Sequence, residues 1–228
     1  MLSWEGTILA IEKTKDQEIR KALRDSPYIA QLTTEDDQAL LMEEFSLTSG
    51  DTRIDMAVFN GCFHGFEIKS DKDTLERLPH QAEYYAKVFE YLYLVVGVKH
   101  SERATTMLPD YWGILLAEKR DGITMLRECR PPRRNEHQDA LALASMLWKA
   151  EALSLLEKHG MLKGMKSKPC RVLWKKLSVD LPFNVLEEEV RVAIKARRDW
   201  RVALKRTQCD VKSQPSSTSL RFLAPLPF

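Results

Sequence analysis

The sequence predicts an α/β fold whose core runs helix, three strands, helix, strand, with a mixed sheet flanked by helices. Apolar and polar side chains alternate along residues 53–59, which is the period-two pattern of a strand. Residues 75–89 instead place apolar side chains three and four positions apart, which indicates a helix. The run "YLYLVVGVK" (91–99) is continuously apolar and β-branched, which is typical of a strand buried on both faces of a sheet.

The first helix and the first three strands are predicted from periodicity and turn residues. The stretch "TKDQEIRKALRD" (14–25) predicts a helix, and the Ser-Pro pair that follows is expected to end it. A mostly apolar strand is predicted in "ALLMEEFSLTSGD" (39–51), which closes on a turn. Asn60-Gly61 is a strong hairpin signal, and "CFHGFEIKS" (62–70) is the expected return strand.

The second helix and a second hairpin complete the predicted core. The helix is expected from about Asp73 to Phe89, and Pro79 should kink it or mark a restart because proline removes one backbone donor. The stretch "WGILLAEKRDGITMLREC" (112–129) predicts two strands that turn at Asp121-Gly122.

The composition changes after "RPPRRN" (130–135). We expect residues 1–130 to form the α/β core, residues 131–206 a C-terminal helical appendage, and residues 207–228 a flexible tail rich in Ser and Pro. The break near residue 130 can also be a corner within one folded unit. The appendage should contain helices at 137–158, with Gly160 as its end, at 169–178 and at 184–206.

Length and composition limit the class of protein. The chain has 228 residues, 44% of them hydrophobic, and a formal net charge of +2, so it can bury a core and carries no global field for a polyanion. Four scattered cysteines without a CxxC pair argue against a zinc site or a disulfide framework and suit a reducing cytosol. The N-terminus lacks the basic region of a signal peptide, and no apolar run approaches the ~20 residues of a membrane span. We therefore expect a cytoplasmic protein without a membrane partner.

Three charged residues on the first predicted hairpin form the main candidate site. Glu67 and Lys69 are two apart in a strand, so their side chains share one face. The hairpin folds Asp55 back alongside them. The opposite face is expected to pack on a helix and carries Met56, Val58, Phe66 and Ile68.

Two carboxylates beside a lysine have a functional and a structural interpretation. Carboxylate oxygens suit Mg²⁺ or Mn²⁺, which bind one or two carboxylates, several waters and a substrate phosphate. Lys69 would then position a water or stabilise charge that develops on the phosphate. The alternative is a cross-strand salt bridge on a solvated face, and spacing alone favours that alternative.

The stretch "RIDMAVFNGCFHGFEIKSDKDTLERLPHQAEYYAKVF" (53–89) resembles the active-site region of the PD-(D/E)XK, or restriction-endonuclease-like, nuclease superfamily. Asp55 matches the first acid of that pattern, and Glu67-Ile68-Lys69 matches its E-x-K. Gln81 and Tyr85 match the Gln-x-x-x-Tyr motif of members related to the RecB nuclease domain. The segment "EIKSDKDTLERLPHQ" is also similar to a family of small, little-characterised bacterial and phage proteins in this superfamily.

This resemblance covers residues 14–116 and implies a restriction-endonuclease-like core. It departs from the pattern at Ile54, where the superfamily often has a proline before the first acid. The activity that it implies is metal-dependent hydrolysis of phosphodiester bonds, with Mg²⁺ or Mn²⁺ as cofactor and DNA as the expected substrate. Repair, recombination and defence all use this chemistry.

The resemblance also implies a role for each matched residue. The catalytic set is Asp55, Glu67, Lys69, Gln81 and Tyr85. Asp55 and Glu67 would bind the metal, with the main-chain carbonyl of Ile68 as a further ligand. Lys69 would activate the water or stabilise charge, whereas Gln81 and Tyr85 would shape the site or hold the substrate backbone.

Other acids near the motifs have weaker claims. Glu44 is the preferred additional acid and metal contact, with Glu18 and Glu43 behind it, and each is otherwise a solvated glutamate. Asp71 or Asp73 is expected to cap the following helix or to act in the outer shell of the metal.

Basic residues supply the predicted nucleic-acid contacts. The candidates are Arg53, Lys72, Arg77, Lys195, Arg198 and Arg201. Arg53 shares the face of Asp55, so it either holds that acid or contacts a phosphate. For the last helix, the alternative is an ordinary amphipathic helix with a charged outer face.

The expected partner is nucleic acid, DNA before RNA, and a homodimer or a partner protein is compatible with the sequence. Two other hypotheses remain open. The first is a catalytically inactive nuclease-fold module that binds nucleic acid or a partner protein, and the intact motif set argues against it. The second is a regulatory protein that docks on a partner through its basic last helix.

Overall fold

Six strands form one mixed sheet within the described part of the chain. The computed structural model describes residues 11–47 and 52–211, with side chains up to residue 197. The strands, in sheet order, are β1 (Leu40–Leu47), β2 (Thr52–Phe59), β3 (Phe63–Lys69), β4 (Tyr91–Gly97), β5 (Gly113–Arg120) and β6 (Ile123–Arg130). β4 runs parallel to β3 and β5, and the other neighbours are antiparallel.

Helices flank this sheet in the predicted order, with two additions. They are α1 (Asp16–Arg24), α2 (Pro27–Thr34), α3 (Leu78–Ala86), α4 (Ser101–Met107), α5 (Ala140–Ser145), α6 (Lys149–Lys158), α7 (Cys170–Asp180) and α8 (Phe183–Val211). The α/β class and the mixed sheet are confirmed, whereas α2 and α4 were not expected. α2 forms because the Ser26 hydroxyl accepts the Ile29 N–H at 3.3 Å and Pro27 suits the first turn, so the Ser-Pro pair begins a second helix.

Two hydrophobic clusters lie on opposite faces of the sheet. The smaller one packs Ile19, Leu23 and Ile29 of the first two helices against the face predicted for that purpose, which carries Met56, Val58, Phe66 and Ile68. The larger one contains Leu94 of β4, whereas the next residue, Val95, belongs to the smaller one. β4 is therefore buried on both faces, as predicted.

The period-two pattern of β2 breaks at Asp55, which corrects one expectation. Ile54 belongs to the larger cluster, although the alternation predicts that it shares a face with Met56. The pairing between β1 and β2 is also irregular here. Glu44 of β1 lies opposite Asp55 and has a φ of 52°, which is not a strand value. Pairing between β2 and β3 ends at Met56, so β2 is free to twist there and Ile54 turns to the other face.

The helix that carries Gln81 and Tyr85 is shorter than predicted. α3 begins at Leu78 rather than near Asp73 and ends at Ala86. Pro79 lies in its first turn, where the missing N–H breaks no helical hydrogen bond. Pro79 therefore marks the start of a helix.

The single helix predicted over 137–158 is wrong. α5 ends at Ser145, and α6 begins after Trp148, whose N–H donates to the Glu151 carboxylate at 2.7 Å. The carbonyl of Leu147 at the break accepts a hydrogen bond from the indole of Trp174 at 3.0 Å. The polar groups freed by the break are thus satisfied locally, which periodicity does not reveal.

The part of the chain from residue 131 to residue 195 packs on the same core as the sheet. Residues up to Lys195 form one compact unit, and residues from Ala196 form a second. The larger cluster joins Phe59 of β2 to Leu156 and Leu177 of the later helices. α8 continues to Val211, past the predicted helix end at 206, and residues 212–228 lie outside the described part. No helix in the described ranges is long and apolar enough to cross a membrane.

Asn135 ties the corner after β6 to the C-terminal end of α3. Its side-chain amide donates to the carbonyls of Ala86 and Phe89 at 2.6 and 2.9 Å, and its own N–H donates to the Glu90 carbonyl at 2.8 Å. The residue is 1% exposed, so water does not replace these bonds. Asn135 therefore holds the end of the helix that carries Gln81 and Tyr85.

Asn135→Ala should lower the free energy of unfolding by about 2–4 kcal/mol, because two buried carbonyls lose their donor. Urea unfolding of the full chain measures the loss. Glu136→Ala, at the exposed neighbouring position, is the matched control and should change the stability little. Equal stability of the two variants would contradict the role assigned to Asn135.

Candidate functional site

One cleft, where β2 and β3 separate, is lined by four of the five predicted catalytic residues: Asp55, Glu67, Lys69 and Gln81. Pairing between these strands runs from Phe59 with Phe63 to Met56 with Phe66 and goes no further. The cleft beyond that point has a volume of about 500 Å³. It is lined by Asp16, Glu44, Ser46, Thr52, Arg53, Asp55, Glu67, Ile68, Lys69, Asp73, Arg77, His80 and Gln81.

Asp55 lies at the point of separation and bridges the two strands with its side chain. Its Oδ2 accepts the N–H of Ile68 at 2.7 Å, which replaces the strand pairing that has ended. Its Oδ1 accepts a hydrogen bond from Nη2 of Arg20 at 2.8 Å, and its main-chain carbonyl accepts one from Nη1 at 2.8 Å. Asp55 is thus held from β3 on one side and from α1 on the other.

Sequence reasoning missed Arg20. This residue lies one position after the buried Ile19 of α1 and four positions after Asp16, its helical ion-pair partner. That spacing predicts a local surface pair. Nothing in a single sequence shows that the guanidinium reaches Asp55, which lies 35 residues away.

Glu67 is the most buried carboxylate of the cleft and has three side-chain partners. Its Oε1 accepts from Nζ of Lys69 at 2.6 Å and from Nε2 of Gln81 at 2.7 Å. Its Oε2 accepts from the Tyr85 hydroxyl at 2.8 Å. Glu67 is 2% exposed and Lys69 is 6% exposed, so their pair does not lie on a solvated face as the salt-bridge alternative requires.

Burial raises the pKa of Glu67 to about 7, and the negative charge of Asp55 adds to the effect. Lys69 lowers the pKa again, because its ammonium group stabilises the ionised carboxylate, but it does not outweigh the burial. The carboxyl group of Glu67 therefore changes its charge near neutral pH.

The hydroxyl of Tyr85 has more acceptors than protons. It lies 2.7 Å from the Arg53 carbonyl and 2.8 Å from Oε2 of Glu67, although one hydroxyl has a single proton to donate. A protonated Glu67 would satisfy both oxygens, since it could donate to Tyr85 while Tyr85 donates to Arg53. This proton count agrees with the raised pKa of Glu67.

The oxygen atoms around Asp55 and Glu67 suit a hard divalent cation. The N–H and C=O of one residue leave an extended strand on the same side, so the Ile68 carbonyl faces the gap that its N–H spans to Asp55. Oε1 of Gln81 is buried without a hydrogen-bond partner, and it can accept from a water. Two carboxylates, one carbonyl and several waters form a set that Mg²⁺ accepts. Within the described residues no group of three or more Asp, Glu, His or Cys side chains is arranged to hold a metal.

Glu44 and Arg53 pair with each other above the cleft. Nε of Arg53 lies 2.5 Å from Oε2 of Glu44, and Nη2 of Arg20 lies 2.9 Å from Oε1. The expectation that Arg53 holds Asp55 is therefore wrong, because Arg20 does so instead. The Arg53 side chain is 62% exposed, which leaves it accessible to a phosphate.

The other predicted acids have structural partners. Glu18 and Glu43 pair with Lys119 and Arg24, outside the cleft lining. Oδ2 of Asp73 accepts the N–H and hydroxyl of Ser70 at 2.7 and 2.6 Å, so Asp73 closes a turn and does not cap α3.

Asp71 connects three segments and does not cap α3 either. Its carboxylate accepts the N–H and hydroxyl of Thr14, each at 2.8 Å, and the N–H of Lys99 at 2.9 Å. Burial opposes its ionisation, but these donors prevail and lower the pKa of Asp71 below its usual value. Asp71 therefore joins the start of α1 to the ends of β3 and β4.

The predicted nucleic-acid residues divide into three groups. Arg77 lines the cleft and Lys72 is exposed beside it. Lys195 pairs with Asp36 at 2.5 Å and its side chain is 20% exposed, and its contact with nucleic acid stays a prediction. The side chains of Arg198 and Arg201 lie outside the described residues.

The chain is similar to a known protein family and to a protein of a bacteriophage. The family model described as Bacteriophage P4 protein cII matches residues 10–219. Protein cII of Enterobacteria phage P4 is 26% identical over 186 residues, which cover 82% of this chain and 69% of that protein. No solved structure matches the chain. Because the family model spans most of the sequence, this chain belongs to the bacteriophage P4 protein cII family.

Proposed function

We propose that the chain is a metal-dependent nuclease that hydrolyses phosphodiester bonds, with DNA as the expected substrate, on a core of the restriction-endonuclease type. One observation carries the proposal. Lys69, Gln81 and Tyr85, which come from two separate motifs, all form hydrogen bonds to the buried carboxylate of Glu67. A buried carboxylate with a raised pKa in a polar cleft is costly to maintain, and such groups cluster at functional sites.

Asp55, Glu67 and the carbonyl of Ile68 would hold the metal, as their oxygen atoms border the same cleft. When bound, a divalent cation would polarise a phosphate oxygen and acidify a water. Contacts within this chain hold the carboxylates of both motif acids in place. Arg20 and the Ile68 N–H fix the carboxylate of Asp55, while Gln81 and Tyr85 fix that of Glu67.

Lys69 and Gln81 would act on the phosphate and the attacking water. The ammonium group of Lys69 has three protons, and one of them serves Glu67 at 2.6 Å. The others would stabilise the negative charge that grows on the phosphate. The unpartnered Oε1 of Gln81 would accept a hydrogen bond from the water and so orient the lone pair of that water. Tyr85 does not line the cleft, so we assign it a positioning role through Glu67.

Charge on the rim supports a polyanionic substrate on one side of the cleft. Arg77 lines the cleft just before the start of α3, and the exposed Arg53 lines the same cleft. Asp16 and Glu44 lie on the α1 side, where Arg20 neutralises part of their charge. A phosphate backbone would therefore approach over the start of α3.

A catalytically inactive module remains the second candidate, and one contact favours it. Oδ1 of Asp55 is already paired with Arg20 at 2.8 Å and Oδ2 accepts the Ile68 N–H at 2.7 Å, so a metal must share one of these oxygens or displace its donor. Metal binding and cleavage decide between the two candidates.

The full chain should cleave DNA when Mg²⁺ or Mn²⁺ is added. Lys69→Ala, Glu67→Gln and Asp55→Asn should each lower the rate by about 100-fold or more, because each removes charge stabilisation or a metal ligand. The cleavage rates of identically purified proteins would be measured on duplex DNA, single-stranded DNA and RNA. A comparison of these rates gives the substrate preference.

Glu43→Gln is the matched control for the cleavage assay. Glu43 is also a strand glutamate paired with an arginine, but it lies outside the cleft lining. Its rate should equal that of the wild type. Equal cleavage by all variants would remove this site, and DNA binding without cleavage or metal binding would favour the inactive module.

Metal affinity should fall as the pH decreases below about 7, which is the raised pKa of Glu67. The ion needs the ionised carboxylate, so at low pH its binding must displace a proton. The weakening should approach about tenfold per pH unit for one proton. Calorimetry with Mn²⁺ at pH 6 and pH 8, in two buffers of different ionisation enthalpy, counts that proton.

The expected count is close to one proton at pH 6 and close to zero at pH 8. The same shift affects the metal-free protein. Because the pKa of Glu67 is raised in the folded protein, this group adds to the free energy of unfolding when the pH is below the usual pKa of a glutamate. The contribution is lost as the pH rises through about 7. Identical proton counts at the two pH values would contradict the assignment of Glu67 as a ligand.

A further inference from the structure

An apolar groove runs along α7, apart from the cleft that holds the predicted catalytic residues. Its volume is about 590 Å³, and its apolar side chains are Leu141 of α5 and Val172 and Val179 of α7. The other residues that line it are Arg171, Lys175, Lys176 and Asp180. None of these residues also lines the cleft.

The apolar side chains of the groove are exposed, although they gain free energy when they leave water. Val179 is 64% exposed, Leu141 38% and Val172 37%. The two valines are seven positions apart, so they lie on one side of α7, about 10 Å from each other. Leu173 and Leu177 of the same helix are fully buried in the larger cluster. α7 therefore has one apolar face toward the core and a second toward solvent.

The chain around this groove is strongly basic. Residues 159–179 contain no Asp or Glu. The Lys and Arg residues of this stretch are Lys163, Lys166, Lys168, Arg171, Lys175 and Lys176. Of these six, only Lys176 has an ion-pair partner among the described residues, which is Asp180 at 2.6 Å. Arg171 and Lys175 are exposed on the border of the groove, so positive charge accumulates there without compensation.

We propose that this groove docks an acidic amphipathic helix of a partner protein. Such a helix would bury its apolar side chains against the leucine and the two valines and place its carboxylates beside Arg171 and Lys175. Amphipathic helices bind hydrophobic grooves through side chains spaced by three, four and seven positions, and the seven-residue spacing of Val172 and Val179 matches that repeat. The inference does not depend on the proposed nuclease activity, because the groove and the cleft are lined by different residues.

A nucleic acid fits the groove less well than an acidic helix does. Phosphates would pair with Arg171 and Lys175, but the sugar–phosphate backbone offers mainly polar and charged atoms to the apolar side chains between them. None of the described residues that line the groove is aromatic, so a base has no ring on which to stack. An acidic helix satisfies both the charge and the apolar surface.

The probe is a fluorescein-labelled synthetic peptide with leucines at positions i, i+3, i+4 and i+7 and glutamates on both flanks. Fluorescence anisotropy with the full chain, without divalent metal, measures its affinity. The wild type should bind this peptide. Val179→Asp should weaken the binding by about tenfold or more, because it places a carboxylate against the leucines of the peptide.

Ile123→Asp is the matched control. Ile123 of β6 is also a β-branched apolar residue that is 64% exposed, but it does not line the groove. This variant should bind the peptide as the wild type does. Circular dichroism verifies that each variant folds. If Val179→Asp does not fold, Val179→Ala takes its place, because alanine favours a helix and still removes apolar contact.

A charge reversal tests the second part of the proposal. Lys175→Glu should weaken the binding of the glutamate peptide by about tenfold. The same variant should bind more tightly than the wild type to a peptide that has lysines in place of the glutamates, because the sign of the interaction is reversed. A general loss of folding would weaken the binding of both peptides.

Three outcomes would overturn the inference. The first is no peptide binding by the wild type, or equal affinity of the wild type, Val179→Asp and Lys175→Glu. The second is binding of a short metal-free DNA duplex, but not of the peptide, that Lys175→Glu weakens, which would assign the surface to nucleic acid. The third is self-association of the peptide-free wild type, measured by analytical ultracentrifugation, that Val179→Asp abolishes, which would assign the groove to a second copy. DNA cleavage by the same variants should equal that of the wild type, so a failure of this inference and a failure of the proposed function are distinguishable.

Discussion

The hydrogen bonds to the carboxylate of Glu67 are the constraint on which the site depends. The Glu67 side chain projects from β3 and is 2% exposed, and an unsatisfied charge at such a buried position would cost several kcal/mol. Lys69 of the same strand and Gln81 and Tyr85 of α3 all point at it, so α3 must keep its rotation and distance relative to β3. The helix and the strand are thus joined by polar contacts as well as by the hydrophobic cluster beneath them.

The two acids of the proposed metal site are held by different means. Glu67 is buried and fixed by α3, whose end is held in turn by Asn135 after the last strand. Asp55 is partly exposed and fixed by Arg20 of α1 and by the N–H of Ile68. Helices on the two sides of the sheet therefore each hold one of the two acids near the point where β2 and β3 separate. Asn135 supports the site through α3, and no residue between 131 and 195 is among those that line the cleft.

The sequence allowed prediction of the strands and of the main residues that share a cleft. It did not allow prediction of the ion pairs between side chains that are far apart in the sequence. The period of two and the hairpin turn bring Asp55 near Glu67, and helical spacing places Gln81 and Tyr85 on one face. The pair of Arg20 and Asp55 is invisible to such patterns, because 35 residues separate its members. The pair of Lys195 and Asp36 is invisible for the same reason, because 159 residues separate its members. The break at Trp148 was missed because the apolar spacing continues through it.

We propose that Asp55 and Glu67 hold one divalent ion in the cleft between β2 and β3. A crystal of the full chain soaked in Mn²⁺, with data collected at the manganese absorption edge, tests it most directly. One anomalous peak is expected within bonding distance of a carboxylate oxygen of each residue, about 2 Å away as for other small divalent ions. Manganese bound elsewhere, or no peak in this cleft at a saturating concentration, would contradict it.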